Sequence, residues 1–206
     1  MLVIGLTGSI GMGKSTAAAH LRELGIAVFD ADAAVHDLYS GAAVPLIEDA
    51  FPGTTQGGIV DRAKLLMALV ASPDGFRRLE AMIHPLVRDM EREFLRTQFA
   101  SGAAMAVLEI PLLFETGGDR LCDLSIVLSA SPEEQRQRVL ARPGMTPQKL
   151  EEILSRQMPD ADKRARADFV VDTGGAISET QVQIDRIIAA LKTRPATAYH
   201  RHWAPA

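Results

Sequence analysis

Apolar residues along the chain fall into two kinds of pattern. Short, predominantly apolar runs at Leu2–Leu6, Ile26–Phe29, Ala104–Ile110, Leu124–Leu128 and Phe169–Val171 have the length and β-branching of strands buried on both faces. Between them, apolar residues return at helical spacing. Ala17, Ala18, Leu21 and Leu24 predict a helix stopped by Gly25, and Ile184, Ile187, Ile188 and Leu191 stand at i, i+3, i+4 and i+7 near the end. Strand alternating with helix implies an α/β fold, a parallel sheet with right-handed crossovers and helices on its faces.

Two stretches break the alternation. From Gly41 to Ser101 the only β-like fragment is Gly58-Ile59-Val60, and the rest is helical punctuation. Asp61 can cap a helix through Ala71 that carries Leu65, Leu66, Leu69 and Val70. Ser72-Pro73 and His84-Pro85 each read as an N-cap with proline at the first helical position. The second opens a longer helix with Val87, Met90 and Phe94 on one face, ending near Gly102. A block of roughly sixty residues is too long for a simple crossover, so it reads as an inserted helical subdomain. The other stretch begins at Ser131-Pro132-Glu133-Glu134, a capping box. Its helix breaks at Arg142-Pro143-Gly144-Met145, and Thr146-Pro147 starts another running to about Arg156. From Ser131 to Arg166 there are eight Lys/Arg against six Asp/Glu, a surplus of two positive charges in a chain of net −4.

The expected organisation is a core of about 1–32, 103–130 and 167–193, a helical subdomain of about 33–102 and a basic hairpin of about 131–166. Asp172-Thr173-Gly174-Gly175 is a turn, and Ser178-x-x-Gln181 reads as a second capping box. Residues 194–206 hold Trp203, His200 and His202 without periodicity and read as a loosely attached tail.

Composition narrows the classes. Apolar content of 47% and charged content of 23% are those of an ordinary globular protein, and 206 residues suffice for a real core. The negative balance argues against nucleic-acid binding. The single cysteine, Cys122, allows neither a disulfide framework nor a thiolate zinc site. No apolar run approaches a bilayer span, and the first residues do not resemble a signal peptide. The expectation is a cytoplasmic protein with no membrane, nucleic-acid or evident protein partner.

The chemistry begins at Gly8-Ser9-Ile10-Gly11-Met12-Gly13-Lys14-Ser15, a glycine, four free residues, then Gly-Lys-Ser, placed between a strand and a helix. Phosphate is best held by backbone N–H groups that approach closely, and Gly8, Gly11 and Gly13 let the backbone curl around an anion. The following helix aims its free N–H groups and positive dipole end at the same anion. Lys14 supplies a full charge near the β- and γ-phosphates, and the Ser15 hydroxyl suits Mg²⁺. The expected ligand is therefore ATP with Mg²⁺.

Asp30-Ala31-Asp32 follows the second strand. Two carboxylates two residues apart can share a face at the carboxyl end, where ligands sit in such sheets. Alternatively, Asp32 caps a helix from Ala33 to Tyr39, and spacing alone supports both readings equally. Glu109, near the end of the next strand, is placed where an acid can orient magnesium or its waters. Arg138 and Arg142 stand four apart, on one helical face. Facing a phosphate site, a basic hairpin acts as a mobile lid whose arginines cover the transferring group and exclude water. His84 by itself is more often structural than functional.

Taken together, these segments resemble the bacterial dephospho-CoA kinases over nearly the whole chain, to about Leu191. The likeness rests on Gly5 to Thr16, Asp30-Ala31-Asp32, Ile83-His84-Pro85, Pro111-Leu112-Leu113-Phe114-Glu115, Gln135-x-x-Arg138-x-x-x-Arg142 and Arg156-Gln157. The resemblance implies a P-loop nucleotide core, an acceptor-side helical subdomain and a lid. It also implies transfer of the γ-phosphate of ATP to the ribose 3′-hydroxyl of dephospho-CoA. Lys14, Asp32 and Arg142 would be catalytic, with Asp32 as the base. ATP would be held by Gly8, Gly11, Met12, Gly13, Lys14, Ser15, Thr16, Arg138 and Arg142, and the acceptor by Asp32, His84, Leu113 and Glu115. The family often has Asn in the turn after the last strand. Here Asp172-Thr173-Gly174 stands there, so that side chain's adenine contact does not carry over.

Three other functions share parts of this pattern. Another small-molecule or nucleoside P-loop kinase would share the loop, base and lid. A GTPase needs an Asn-Lys-x-Asp motif, and the chain contains no Asn. A non-catalytic nucleotide-binding module would need neither Asp32 nor the lid arginines.

Overall fold

A computed structural model describes residues 1–205. Its main sheet has five strands in the order β2-β5-β1-β6-β7: β1 (Leu2–Thr7), β2 (Ala27–Asp30), β5 (Met105–Glu109), β6 (Leu124–Ser129) and β7 (Phe169–Asp172). β1 pairs in parallel with β5 and β6, and β6 with β7. The central β1 is buried along its whole length, which is why its sequence is an apolar run instead of an alternation. Helices α1 (Lys14–Glu23) and α9 (Ile177–Leu191) supply Ala17, Ala18, Leu21, Ile184, Ile188 and Leu191 to one core with Leu2, Ile4, Leu6, Val107, Ile126 and Leu128.

The chain forms two compact units, Met1–Phe29 with the chain from Leu95 onward, and Asp30–Phe94. The second unit holds α2 (Ala31–Leu38), α3 (Val44–Ala50), a hairpin of β3 (Thr55–Gln56) and β4 (Ile59–Val60), α4 (Arg62–Ala71) and most of α5 (Gly75–Ala100). Gly57 and Gly58 join the hairpin strands with φ of 61° and 78°, the left-handed pair that a two-residue hairpin turn requires. Leu38, Ile47, Phe51, Val60, Leu65, Leu69 and Ile83 form this unit's own core. Asp61 caps α4 as expected, accepting from Ala63 N at 3.0 Å and Lys64 N at 3.1 Å.

Three readings of the sequence are corrected here. His84-Pro85 starts no helix, because α5 runs unbroken past it with Pro85 inside. Proline removes one helical hydrogen bond, but Ile83 is buried before it and Leu86, Val87 and Met90 pack on the core after it. At the start of α5, Ser72 Oγ donates to Asp74 Oδ1 at 3.1 Å and the helix begins only at Gly75. At α9 the capping contact is Ala176 N to Glu179 Oε2 at 3.0 Å, not the Ser178–Gln181 pair.

The described part of the segment read as a loose tail, up to residue 205, is packed through its aromatic residues. Residues Tyr199–Trp203 form a π-helical turn, with Tyr199 3% and Trp203 1% exposed. Trp203 Nε1 donates to Leu121 O at 2.8 Å, and Asp123 Oδ1 accepts from Thr197 N at 2.7 Å and Ala198 N at 2.8 Å. The Tyr199 ring stacks on Phe99 with centroids 4.1 Å apart. Two anchoring aromatics leave no periodic pattern, so the sequence carried no sign of them.

The basic stretch is three helices, α6 (Pro132–Leu140), α7 (Pro147–Ser155) and α8 (Asp160–Arg166), where two were expected. The Ser131–Glu134 capping box is present, and Thr146 Oγ1 caps α7 through Lys149 N at 3.2 Å. Among the described residues, no helix is long and apolar enough to cross a membrane.

Candidate active site

The phosphate loop leaves β1 at Thr7 and enters α1 at Gly13, its N-cap. A Cβ on Gly8 would lie 2.6 Å from the Leu128 carbonyl oxygen, so the loop's close approach to β6 excludes any side chain there. Gly11 combines φ of +79° with a virtual Cβ 2.6 Å from Val139 Cγ2 of α6. Lys14 folds back over the loop, with Nζ donating to Gly8 O at 2.8 Å and Ser9 O at 3.5 Å. Ser15 and Thr16 are exposed in the first turn of α1, where free N–H groups and hydroxyls meet an incoming anion.

The loop is gripped from outside. Gln135 Nε2 of α6 donates to Ile10 O at 2.8 Å, and Ile10 N donates to Gln157 Oε1 at 3.1 Å. Both backbone groups of one loop residue are therefore held from the basic stretch, the carbonyl by α6 and the N–H by the connection between α7 and α8. Met12 is 1% exposed; its Sδ accepts from Ala130 N at 3.1 Å and its carbonyl from Thr173 Oγ1 at 3.2 Å. The loop is preorganised before any ligand arrives, which lowers the ordering cost of binding.

Arg138 and Arg142 have different employment. Arg138 donates to the Thr173 carbonyl and, at 3.3 Å, to its hydroxyl, tying α6 to the turn after β7. Since α6 ends at Leu140, Arg142 stands beyond its C-cap Ala141 and does not share a helical face with Arg138. It is exposed and makes no side-chain hydrogen bond or ion pair among the described residues.

The two aspartates also separate. β2 ends at Asp30, whose Oδ1 accepts from Ala33 N at 2.9 Å and caps α2. The cap is Asp30, not Asp32, and no strand face is shared because Asp32 already lies in the helix. Asp32 is exposed in the first turn of α2, where the helix dipole favours a carboxylate. His84 is exposed on α5. Within this unit, burial pushes the Tyr39 phenol above its ordinary range, and the guanidinium of Arg62 partly opposes the shift.

Glu109 is 6% exposed and pairs across the sheet with Leu6, two residues before Gly8. Leu113 is 0% exposed, with Cδ2 only 2.7 Å from where a Gly5 Cβ would stand. Its side chain packs in the core beneath Gly5. Glu115 Oε1 pairs with Lys163 Nζ at 2.9 Å and accepts from Met158 N at 2.7 Å.

Lys163, Gln135 and Gln157 have contacts that the residue pattern did not assign. Lys163 counted only as one of the lid's basic residues. One signal was available: α8 has no large apolar side chain, so a long polar stem must fill its inward position.

Comparison with known proteins bears on the family and the fold. A family model described as dephospho-CoA kinase matches residues 2–179. A curated dephospho-CoA kinase from Brucella melitensis biotype 1 is 55% identical over 198 residues, covering 96% of this chain and 99% of that protein. Among solved structures, TT1252 from Thermus thermophilus superposes with TM-score 0.82 at 34% identity, covering 92% of this chain and 96% of that one. A dephospho-CoA kinase from Campylobacter jejuni, at 23% identity and TM-score 0.70 over 92% of this chain and 96% of its own, shares the fold.

Proposed function

We propose that this chain, which belongs to the dephospho-CoA kinase family, transfers the γ-phosphate of ATP to the ribose 3′-hydroxyl of dephospho-CoA, yielding coenzyme A and ADP. One observation carries this reading: the likeness spans 96% of the chain, taking in the inserted helices and the basic helices with the phosphate loop. A P-loop alone would support only nucleotide binding.

The chain's own residues divide the work. Backbone N–H groups from Gly8 to Thr16 cradle the phosphates, including those of Gly11, Met12, Gly13, Lys14 and Ser15. Lys14 exchanges the Gly8 carbonyl for phosphate oxygens and neutralises charge as the phosphoryl group moves. Arg142 supplies a planar fork to the transferring group, while Arg138 lines the nucleotide side through its hold on Thr173. Asp32 orients the acceptor hydroxyl and takes its proton. His84 and Glu115 contribute to acceptor binding.

The Ser15 hydroxyl is a hard oxygen donor in the exposed first turn of α1, which fits Mg²⁺ arriving with the nucleotide. Among the described residues no three acidic, His or Cys side chains gather into a cage, so phosphate oxygens and water would complete its shell. Bound there, Mg²⁺ would offset negative charge on the β- and γ-phosphates.

The test is ATP turnover with dephospho-CoA, adenosine and shikimate as parallel acceptors. The expected result is turnover with dephospho-CoA and background rates with the others. Faster turnover with adenosine or shikimate would assign the chain to another P-loop kinase activity.

A further inference from the structure

Lys163 on α8 has no exposed surface, at 0%. An ammonium taken out of water is stabilised only by good partners, and replacing a whole buried ion pair by well-packed apolar residues is often neutral or stabilising. Stability alone therefore does not explain the charge. Its surroundings offer a better reason.

Lys163 Nζ donates to Pro111 O at 3.1 Å and pairs with Glu115 Oε1 at 2.9 Å. The same Pro111 carbonyl accepts the Thr7 hydroxyl at 3.1 Å. Thr7 is the last residue of β1, directly before Gly8 of the phosphate loop. Lys163 thus pins the Pro111–Glu115 segment to the base of that loop. Met158 N, between α7 and α8, donates to the same Glu115 Oε1 at 2.7 Å. Both side-chain partners of Glu115 among the described residues converge on one carboxylate oxygen. Oε2 is left without one, on a side chain that keeps 18% of its surface exposed. A carboxylate clamped through one oxygen presents the other as a fixed hydrogen-bond acceptor, the group a sugar hydroxyl requires.

Resting on the dephospho-CoA kinase reading above, we infer that Lys163 is a positioning residue for acceptor binding. It holds Glu115 by Oε1 beside the end of β1, so that Oε2 accepts a hydroxyl of the acceptor's ribose. Lys163 touches no substrate itself. Its charge sets the carboxylate's orientation, and Met158 N–H completes the clamp.

The experiment compares Lys163→Met, Lys163→Gln, Glu115→Gln and the double variant Lys163→Met/Glu115→Gln in the full-length enzyme. Melting temperature and the KM values for dephospho-CoA and ATP are measured for each. Lys163→Met leaves the Glu115 carboxylate without its charged partner and should lower the melting temperature, whereas the double variant removes both charges and should recover much of that loss. The KM of Lys163→Met for dephospho-CoA should rise about tenfold, the scale of lost hydrogen bonds to a charged group. Its KM for ATP should stay within about twofold of the parent value, well below that charged-group effect. Glu115→Gln turns an amide donor or a reoriented oxygen toward the hydroxyl and should give the same selective rise. The double variant should be no worse than either single change, because both act on one contact.

A purely structural Lys163 makes a different forecast. It would raise both KM values together, leave the KM for dephospho-CoA unmoved in Glu115→Gln, or give additive effects. Any of these overturns the role. If Lys163→Met does not fold, Lys163→Gln, which keeps hydrogen bonding without charge, carries the same expectation. The parent enzyme is assayed first. A parent that ignores dephospho-CoA defeats the assigned reaction and this role with it, whereas an active parent with an unmoved acceptor KM in Lys163→Met defeats the role alone.

Discussion

The ammonium of Lys14 rests on the carbonyl oxygen of Gly8, 2.8 Å away, at the far end of its own phosphate loop. The lysine is thus held at the site before nucleotide binds, by an acceptor it can exchange for phosphate oxygens. Lys14→Ala should lower turnover by orders of magnitude, since the charge facing the β- and γ-phosphates is lost. Circular dichroism and melting should be nearly unchanged, because the side chain is only partly buried. A near-normal rate would contradict the catalytic assignment of the loop.

Ile10 is held by Gln135 through its carbonyl and by Gln157 through its N–H. If these bonds preorganise the loop, Gln157→Ala should weaken ATP binding about fivefold, the equivalent of one hydrogen bond of about 1 kcal/mol. Calorimetric titration of ATP into the variant measures this directly. Unchanged affinity would mean that the loop holds its shape unaided.

Arg142 stands beyond the end of α6 with its guanidinium unengaged among the described residues, while Arg138 is already tied to Thr173. Arg142→Lys should therefore act on catalysis, since an ammonium cannot bridge two phosphate oxygens in a plane. Turnover should fall by more than the KM for ATP rises, as expected for a contact completed in the transition state. A change confined to that KM would make Arg142 a ground-state binder.

Glu91 on α5 is 3% exposed, and burial pushes its carboxyl above the usual value of 4.5, with Arg88 opposing from 2.9 Å. The folded state then keeps a proton that the unfolded chain releases. Its contribution to stability is greatest below the unfolded value and declines as pH rises from there through the raised one. Glu91→Gln stays neutral throughout. Its melting temperature relative to the parent should be higher near neutral pH than in the acid range where the Glu91 carboxyl is protonated in both states. Parallel melting curves across that range would show that Glu91 titrates normally.

The phosphate loop was legible because its chemistry is local: glycines, lysine and serine at fixed spacing between one strand and one helix. The strands were legible as apolar runs for the same reason. The division of labour between Asp30 and Asp32 was not, because either can cap a helix and only the end of β2 at Asp30 decides which one does. Pro85 misled in another way. Its local signal for a helix start was overridden by packing of Ile83, Leu86 and Val87 on either side. Lys163 and Glu115 lie 48 positions apart, and no periodicity links them.

The proposed reaction needs a base at the acceptor hydroxyl, and Asp32 is the residue assigned to it. Since Asp30 makes the cap, the two aspartates can be tested against each other. Asn caps a helix as well as Asp does, so Asp30→Asn should keep both melting temperature and turnover. Asp32→Asn should keep melting temperature and ATP affinity yet lose roughly 10²-fold or more in turnover, the lower range for a removed general base. The decisive measurement is kcat with dephospho-CoA for Asp32→Asn beside Asp30→Asn and the parent. A loss confined to Asp32→Asn is the predicted result; parental turnover in Asp32→Asn would contradict it and leave the reaction without this base.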